Sequence, residues 1–127
     1  MKKCFLTEKG PRAIGPYSTA TIHNGVCYLS GMLGVDPSIG KLKEGGVEAQ
    51  TRQAFENIKA VLAEAGLTMD AVVKTTVFLQ DMNDFAAMNG VYASYFTEGS
   101  YPARSAVQVA KLPKGGLVEI ESIACTE

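Results

Sequence analysis

The chain has 127 residues, of which 46% are hydrophobic and 20% charged, and its formal net charge is −1 at pH 7. This length fits a single domain spanning residues 1–127 and is too short for two ordinary ones. Because there is no basic excess and no run of about 18 apolar residues, we expect neither nucleic acid nor a membrane as a partner.

The N-terminal segment and the cysteines indicate the cellular setting. Residues 1–8 are partly basic but reach Glu8 before any long apolar stretch develops, so we expect no signal peptide. The three cysteines, Cys4, Cys27 and Cys125, are odd in number and far apart, without the paired spacing of a zinc site or a redox dithiol. We therefore predict free thiols and a cytoplasmic location.

A hairpin is predicted near the start of the chain. Asn24-Gly25 readily adopts the positive φ angles of a tight turn, and residues 17–22 and 26–31 on either side carry β-branched and aromatic side chains. His23, the one histidine of the chain, lies at this turn. We give it no catalytic role and expect no metal site within one subunit. The glycine-rich residues 34–46 should form a surface loop with room for a short strand.

Two helices and a buried strand are predicted next. Apolar residues recur at helical spacing over 47–65, and Gly66 is well placed to end that helix. Residues 72–79 are short, β-branched and almost continuously apolar, which favours a central strand. Asn83 or Asp84 can cap a second helix with an apolar stripe of Phe85, Met88, Tyr92 and Phe96. The simplest interpretation of this stripe is core packing.

Two final strands, residues 105–110 and 117–124, complete the order ββαβαββ. From the residues alone they are predicted to pair as a hairpin joined by residues 112–116. Strands connected through helices should be parallel, with right-handed crossovers, so we expect one mixed sheet with two helices on one face. The other face must then be solvated or covered by something else.

Alternation along the last strand describes that uncovered face. One side carries Leu117, Glu119, Glu121 and Ile123, and the other carries Val118, Ile120, Ser122 and Ala124. Neither side is purely polar, which favours an obligate oligomer that buries the uncovered sheet face. The alternative is a face that is simply solvated.

A guanidinium at the start of one strand and a carboxylate inside the next are the strongest indications of a site. The planar donors of Arg104 are suited to a carboxylate or a phosphate, which suggests a small anionic ligand. Glu119 lies in an apolar strand, where a carboxylate reaches solvent, pairs with a cation or serves chemistry. The alternative for both is an intersubunit salt bridge from Arg104 to Glu119 or Glu121.

Motifs along the whole chain carry a resemblance to one family. They are Ile14-Gly15-Pro16-Tyr17-Ser18, Leu29-Ser30-Gly31, residues 73–79, Asn83-Asp84-Phe85, Asn89, Tyr92, Pro102-Ala103-Arg104-Ser105, Leu112-Pro113 and Val118-Glu119-Ile120-Glu121. In this order and spacing they resemble the RidA family, also called the YjgF/YER057c/UK114 family. The resemblance implies an α+β fold like that of Bacillus chorismate mutase, with a single mixed six-stranded sheet and two helices on one face.

The resemblance also implies an assembly and a strand order. The assembly is a homotrimer whose sheets form a central barrel, with ligand clefts between subunits. The strand 72–79 should lie between the last two strands, contrary to the hairpin predicted from the residues alone. The implied activity is hydrolysis, without a cofactor, of reactive enamines and imines such as 2-aminoacrylate and 2-aminocrotonate to 2-keto acids and ammonia.

Carried over residue by residue, the resemblance assigns Arg104 to the substrate carboxylate, together with the backbone N–H groups of Gly31 and Ala106. Glu119 would position or deprotonate a water molecule, and Tyr17 would bond the substrate nitrogen or that water. Many family members carry cysteine where this chain has Ala106. That departure puts any thiol-dependent role in doubt but leaves the backbone contact in place.

Ser30 and Asn89 are further candidate contacts, and simpler interpretations are open. Asn89 could bond only the helix backbone, Ser30-Gly31 could be an ordinary strand end, and Tyr17 could only pack at a strand start. For the whole protein, the competing hypotheses are a non-catalytic regulator that binds 2-keto acids and, ranked last, a ribonuclease or translation inhibitor.

Overall fold

A computed structural model of the protein describes residues 1–126. Within that range the strands are β1 (Lys3–Phe5), β2 (Ala20–His23), β3 (Val26–Leu33), β4 (Val35–Asp36), β5 (Lys41–Leu42), β6 (Val72–Leu79), β7 (Ala103–Gln108) and β8 (Val118–Cys125). The helices are α1 (Gly46–Glu64) and α2 (Phe85–Ser94). Short 3-10 turns occur at Met69–Ala71, Met82–Asp84 and Pro113–Gly115.

Six strands form one mixed sheet in the order β1-β2-β3-β8-β6-β7, while β4 and β5 pair separately. β6 is parallel to β7 and antiparallel to β8, and β8 is antiparallel to β3. The expected α+β class, with two helices and a six-stranded mixed sheet, is confirmed. The hairpin predicted from the residues alone for the last two strands is wrong, because the crossover through α2 places β7 beside β6 and leaves the other edge of β6 for β8.

One strand of the six-stranded sheet, β1, is not predicted by any pattern in the sequence. It pairs with β2 over only three residues, too few for an alternating pattern to be recognisable. Beyond β1, Glu64 of α1 accepts hydrogen bonds from the Thr7 hydroxyl and, at 3.0 Å, from the Glu8 N–H. These bonds hold the N-terminal segment against α1.

The other local predictions are confirmed with small shifts. Asn24 and Gly25 have φ values of 50° and 77° in the turn between β2 and β3. Gly66, with φ 78°, follows the end of α1. Asp84, one of the two predicted caps, occupies the N-cap position of α2, although its side chain makes no capping hydrogen bond. The carboxylate of Asp81 caps the preceding 3-10 turn instead, accepting the Asn83 N–H at 2.9 Å.

Both helices pack on one face of the sheet, and the other face has no covering element in the described chain. The fully buried side chains on the covered side include Phe55, Ile58, Leu62, Leu79, Met88 and Ile120. On the uncovered side Glu119 and Glu121 lie among apolar residues, with Tyr28 47% and Val107 45% exposed. No helix in residues 1–126 is long and apolar enough to cross a membrane.

Gly34 sets the spacing between β3 and α1. A Cβ added at Gly34 would lie 2.6 Å from the Cα of Gln50, which is helix backbone and cannot move aside as a flexible side chain can. We expect Gly34→Ala to lower the free energy of unfolding by about 2 kcal/mol or more in urea denaturation. The control is Gly90→Ala, because exposed Gly90 in α2 has nothing within 4 Å of an added Cβ.

In that control, alanine should raise the free energy of unfolding by about 0.5–1 kcal/mol through its higher helix propensity. Equal stability of the two variants would contradict the close packing of Gly34 on α1.

Candidate functional site

Arg104 lies at the edge of the sheet. It is in β7, the edge strand, directly beside Thr75 of β6. Its Nη1 donates to Oδ1 of Asn89 at 2.6 Å, and its guanidinium carbon lies 4.7 Å from the centre of the Tyr92 ring and 5.4 Å from that of Phe85. An amide and two aromatic rings of α2 therefore hold an otherwise exposed guanidinium.

Helical spacing brings these three α2 residues together. Phe85, Asn89 and Tyr92 stand at positions i, i+4 and i+7, which share one face of a helix. The sequence pattern assigns Phe85 and Tyr92 to the core and does not connect them with Arg104. The available signal was an amide flanked by two aromatic residues on one helix face, ahead of an arginine-bearing strand.

Ala106 follows Arg104 on the same strand edge. The Val109 N–H, just beyond β7, donates to the Leu79 carbonyl of β6 at 2.9 Å. Because alternate N–H groups of a strand point the same way, the Ala106 N–H is directed away from β6, toward the open edge. We call Arg104, Asn89 and Ala106 the arginine edge.

Glu119 lies on the uncovered face of the sheet. It is half-buried in β8, between Leu33 of β3 and Phe78 of β6. Its side chain runs over Gly31, where an added Cβ would lie 2.8 Å from Glu119 Cδ. A bulge in the β3–β8 pairing occurs at this point, between Leu29 and Met32. Glycine at position 31 therefore leaves room for the carboxyl group.

The surroundings of Glu119 favour its protonated form. Burial is the main factor that raises the pKa of the Glu119 carboxyl above its ordinary value, and the nearby charge of Glu121 raises it further. A carboxyl group whose pKa is shifted toward neutrality is better suited to exchange protons with a substrate or a water molecule.

Glu119 borders a cavity of about 980 Å³. Tyr17, Ser30 and Gly31 also line it, with residues 11–14 and Leu33 forming part of its wall. Tyr17 is 49% exposed. The Ser30 hydroxyl donates its hydrogen bond to the Ser18 carbonyl at 2.7 Å. We call Glu119, Tyr17, Ser30 and Gly31 the glutamate cleft.

Within one chain the arginine edge and the glutamate cleft do not meet. Arg104 leaves the sheet on the helix-covered face, since it contacts α2, whereas Glu119 lies on the opposite face. β6 separates their strands, which places β7 about 10 Å from β8. The one ion pair among residues 1–126 is Lys43 with Asp36, at 3.5 Å. The two sets of candidate residues are therefore two separate half-sites.

The described residues also bear on metal binding. No three histidine, cysteine, aspartate or glutamate side chains in residues 1–126 are grouped so as to hold a metal ion. Cys4, Cys27 and Cys125 are free thiols, with Cys27 buried in the core.

Comparison with known proteins gives consistent results. The sequence model of the family described as endoribonuclease L-PSP matches residues 7–126. A Bos taurus protein named 2-iminobutanoate/2-iminopropanoate deaminase is 52% identical over 124 residues, covering 98% of this chain and 90% of that protein. RidA from the Antarctic bacterium Psychrobacter sp. is 50% identical, with a TM-score of 0.92 and coverage of 97% and 98% of the two chains.

A further solved structure, Escherichia coli TdcF with bound serine, is 41% identical. Its TM-score is 0.91, and the alignment covers 98% of this chain and 99% of that one. The likeness therefore extends over nearly the whole described fold.

The raised pKa of Glu119 has a consequence for stability. A carboxyl group whose pKa is higher in the folded state contributes stability at low pH that is lost as the pH rises through the folded-state pKa. At pH 7 the wild type must ionise this partly buried carboxyl group, which costs stability. Glu119→Gln removes the ionisation, so the variant should melt at a higher temperature than the wild type at pH 7. The difference should shrink as the pH falls below the ordinary glutamate pKa of about 4.3.

The control for this prediction is Glu98→Gln, which changes an exposed carboxyl group and should leave the melting temperature nearly unchanged. If Glu119→Gln instead melts at a lower temperature at pH 7, the carboxylate is stabilised in the fold and the stated direction is wrong.

Proposed function

Because the chain belongs to the RidA family, the endoribonuclease L-PSP family of the matching sequence model, we propose that it is an enamine and imine deaminase. It would hydrolyse the imines of 2-aminoacrylate and 2-aminocrotonate to 2-keto acids and ammonia, without a cofactor. The observation that carries the proposal is the guanidinium of Arg104, held by Asn89 and two ring faces at an open sheet edge. Such a group can bind the carboxylate of a 2-imino acid through two parallel hydrogen bonds.

The proposal requires the two half-sites to come from different subunits. Arg104 and Glu119 lie on opposite faces within one chain, and the Glu119 face is uncovered and partly apolar. A homotrimer whose sheets form a central barrel would cover that face and set the arginine edge of one subunit against the glutamate cleft of the next. Six strands with both helices on one side leave the other face of the sheet free for such an assembly.

Substrate binding would use both half-sites. Arg104 holds the carboxylate, with the Ala106 N–H of the same edge and the Gly31 N–H of the neighbouring cleft as further donors. The outward direction of the Ala106 N–H supports the first of these contacts, and the bulge at Gly31, which interrupts regular pairing, supports the second. Binding at three donors would orient the imine carbon for attack.

In the proposed hydrolysis, Glu119 would transfer protons between water and the substrate. The oxygen of a water molecule bonds to the imine carbon while one of its protons passes through the Glu119 carboxyl to the nitrogen, giving a carbinolamine. The hydroxyl proton then passes through the Glu119 carboxyl to the nitrogen, the C–N bond breaks with its electron pair leaving on ammonia, and the former hydroxyl oxygen becomes the keto group. Tyr17 would bond the nitrogen or the water. The raised pKa of Glu119 supports its role in both proton transfers.

Two relatives support the choice of substrate class. The Bos taurus relative is named for 2-iminobutanoate and 2-iminopropanoate. The TdcF structure contains serine, which like a 2-imino acid carries a carboxylate and a nitrogen on the same carbon.

Two other functions compete with deamination. A regulator that binds 2-keto acids would use the same Arg104 and is distinguished only by the absence of turnover. The family description names an endoribonuclease. A net charge of −1 and a single histidine give this chain little of the basic surface that RNA binding draws upon. Deamination is therefore the activity that we put forward.

The first test is a coupled assay in which a serine or threonine dehydratase generates the enamine and 2-keto acid formation is followed. The wild type should accelerate release of the keto acid, and Arg104→Ala should lose about 100-fold or more in kcat/KM, because a charge-assisted bidentate contact is removed. Arg52→Ala, an exposed arginine on α1, is the matched control and should behave as wild type.

No acceleration by the wild type, together with binding of 2-ketobutyrate in calorimetry, would favour the regulator instead. Full activity of Arg104→Ala would contradict the carboxylate contact.

The second test addresses the shared site. Arg104→Ala and Glu119→Gln should each be inactive alone, but subunits mixed before assembly should regain about one quarter of wild-type activity, since one in four subunit junctions pairs an intact arginine edge with an intact glutamate cleft. Mixing Arg104→Ala with Arg104→Met is the control and should restore nothing. Failure of the first mixture to recover activity, with mixed trimers verified by mass spectrometry, would exclude an intersubunit site.

A further inference from the structure

We propose that Tyr92 and Phe85, which we call the aromatic cradle, are positioning residues that hold the guanidinium of Arg104 in its carboxylate-binding orientation. This inference rests on the proposed function, in which Arg104 binds the carboxylate. It assigns a second role to two side chains whose sequence pattern indicates only core packing.

The position of Arg104 on an exposed edge strand leaves its side chain free to move unless other residues hold it. The side chain projects from an edge strand and is exposed, so its long aliphatic stem would otherwise sample many rotamers. Asn89 restrains one nitrogen through a single hydrogen bond of 2.6 Å, about which the guanidinium plane could still turn. The Tyr92 and Phe85 rings, at 4.7 and 5.4 Å, restrict that remaining freedom.

The Tyr92 ring is itself held rigidly. It is 5% exposed, and its hydroxyl and the Thr75 hydroxyl are 2.6 Å apart. Thr75 is the residue of β6 that lies directly beside Arg104 of β7, so the ring is anchored to the strand next to the arginine that it supports. Phe55 packs edge-on against Tyr92, with 5.4 Å between ring centres. The Tyr92 ring therefore has a fixed position beside the arginine.

This mode of support leaves the donors available. Contact with an aromatic ring is made over the ring face, whereas hydrogen bonds to a carboxylate run from the N–H edge of the guanidinium. Asn89 uses one N–H of Nη1, and the other donors of the fork are left for a ligand. A carboxylate partner in place of Asn89 or the rings would have competed with the ligand for the same charge.

The test measures binding of 2-ketobutyrate, as the probe, to the assembled protein by calorimetry. Tyr92→Leu should weaken binding roughly tenfold, since the ring beneath the guanidinium is lost. Tyr92→Phe keeps the ring and should stay within about threefold of wild type. Phe96→Leu is the matched control, because Phe96 belongs to the same aromatic cluster through Phe55 and Tyr92.

Phe96→Leu should lower the melting temperature to an extent similar to Tyr92→Leu while leaving the affinity unchanged. Equal losses of affinity in these two leucine variants would overturn the proposal, because a general packing defect would then explain the effect. A loss in Tyr92→Phe as large as that in Tyr92→Leu would also overturn it. If Tyr92→Leu does not fold, Phe85→Leu replaces it, since Phe85 is only half-buried and the same outcomes apply.

Arg104→Ala is measured beside these variants to separate the two proposals. Unchanged 2-ketobutyrate binding in Arg104→Ala would remove the carboxylate contact and with it the proposed function. Weakened binding in Arg104→Ala, combined with equal affinities of Tyr92→Leu and Phe96→Leu, would leave the proposed function standing and remove only the positioning role.

Discussion

A sheet buried on one face and open on the other is the constraint on which the rest of this structure depends. Both helices pack against the same side, where the alternate residues Val118 and Ile120 of β8 complete the core. The intervening Glu119 must then project onto the face that no helix of residues 1–126 covers. Its partial burial there, beside Glu121, raises the pKa of its carboxyl group. Packing on one face therefore leaves the other face uncovered and raises the pKa of a glutamate that lies on it.

β6 connects this constraint to the separation of the two half-sites. Thr75 of β6 faces the core, where it bonds Tyr92 and lies beside Arg104. Phe78 of the same strand lies beside Glu119 on the opposite face. Because successive side chains of a strand alternate between faces, Thr75 and Phe78, three positions apart, face opposite sides of the sheet. The arginine beside Thr75 and the glutamate beside Phe78 therefore also face opposite sides. The proposed site, which uses both groups, would therefore be completed by a second subunit.

Small residues shape both half-sites. Gly31 is required for a steric reason, since the Glu119 side chain occupies the space of a Cβ there. Ala106 offers its main-chain N–H at the sheet edge, a role that does not depend on the side chain. In contrast, the guanidinium of Arg104 is held by large aromatic groups that belong to the core. Arg104 is thus held by aromatic packing, whereas Glu119 has room because Gly31 lacks a side chain.

The sequence by itself determined the local elements, since they follow from short-range patterns. The Asn24-Gly25 turn, the helix ending before Gly66 and the strand 72–79 each depend on backbone preferences or periodicity within a few residues. Arg104 and Glu119 were also recognisable, because a fork of donors and a carboxylate in apolar strands are unusual in themselves.

Only the tertiary structure decided which strands are neighbours and which faces their side chains share. Strand order depends on long-range pairing, so β8 lies beside β6 and β3 rather than forming a hairpin with β7. The support of Arg104 by Tyr92 was hidden for the same reason, since it joins a helix to an edge strand across a 12-residue separation. Short-range patterns carry no information about such contacts, which form only when the sheet and α2 pack together.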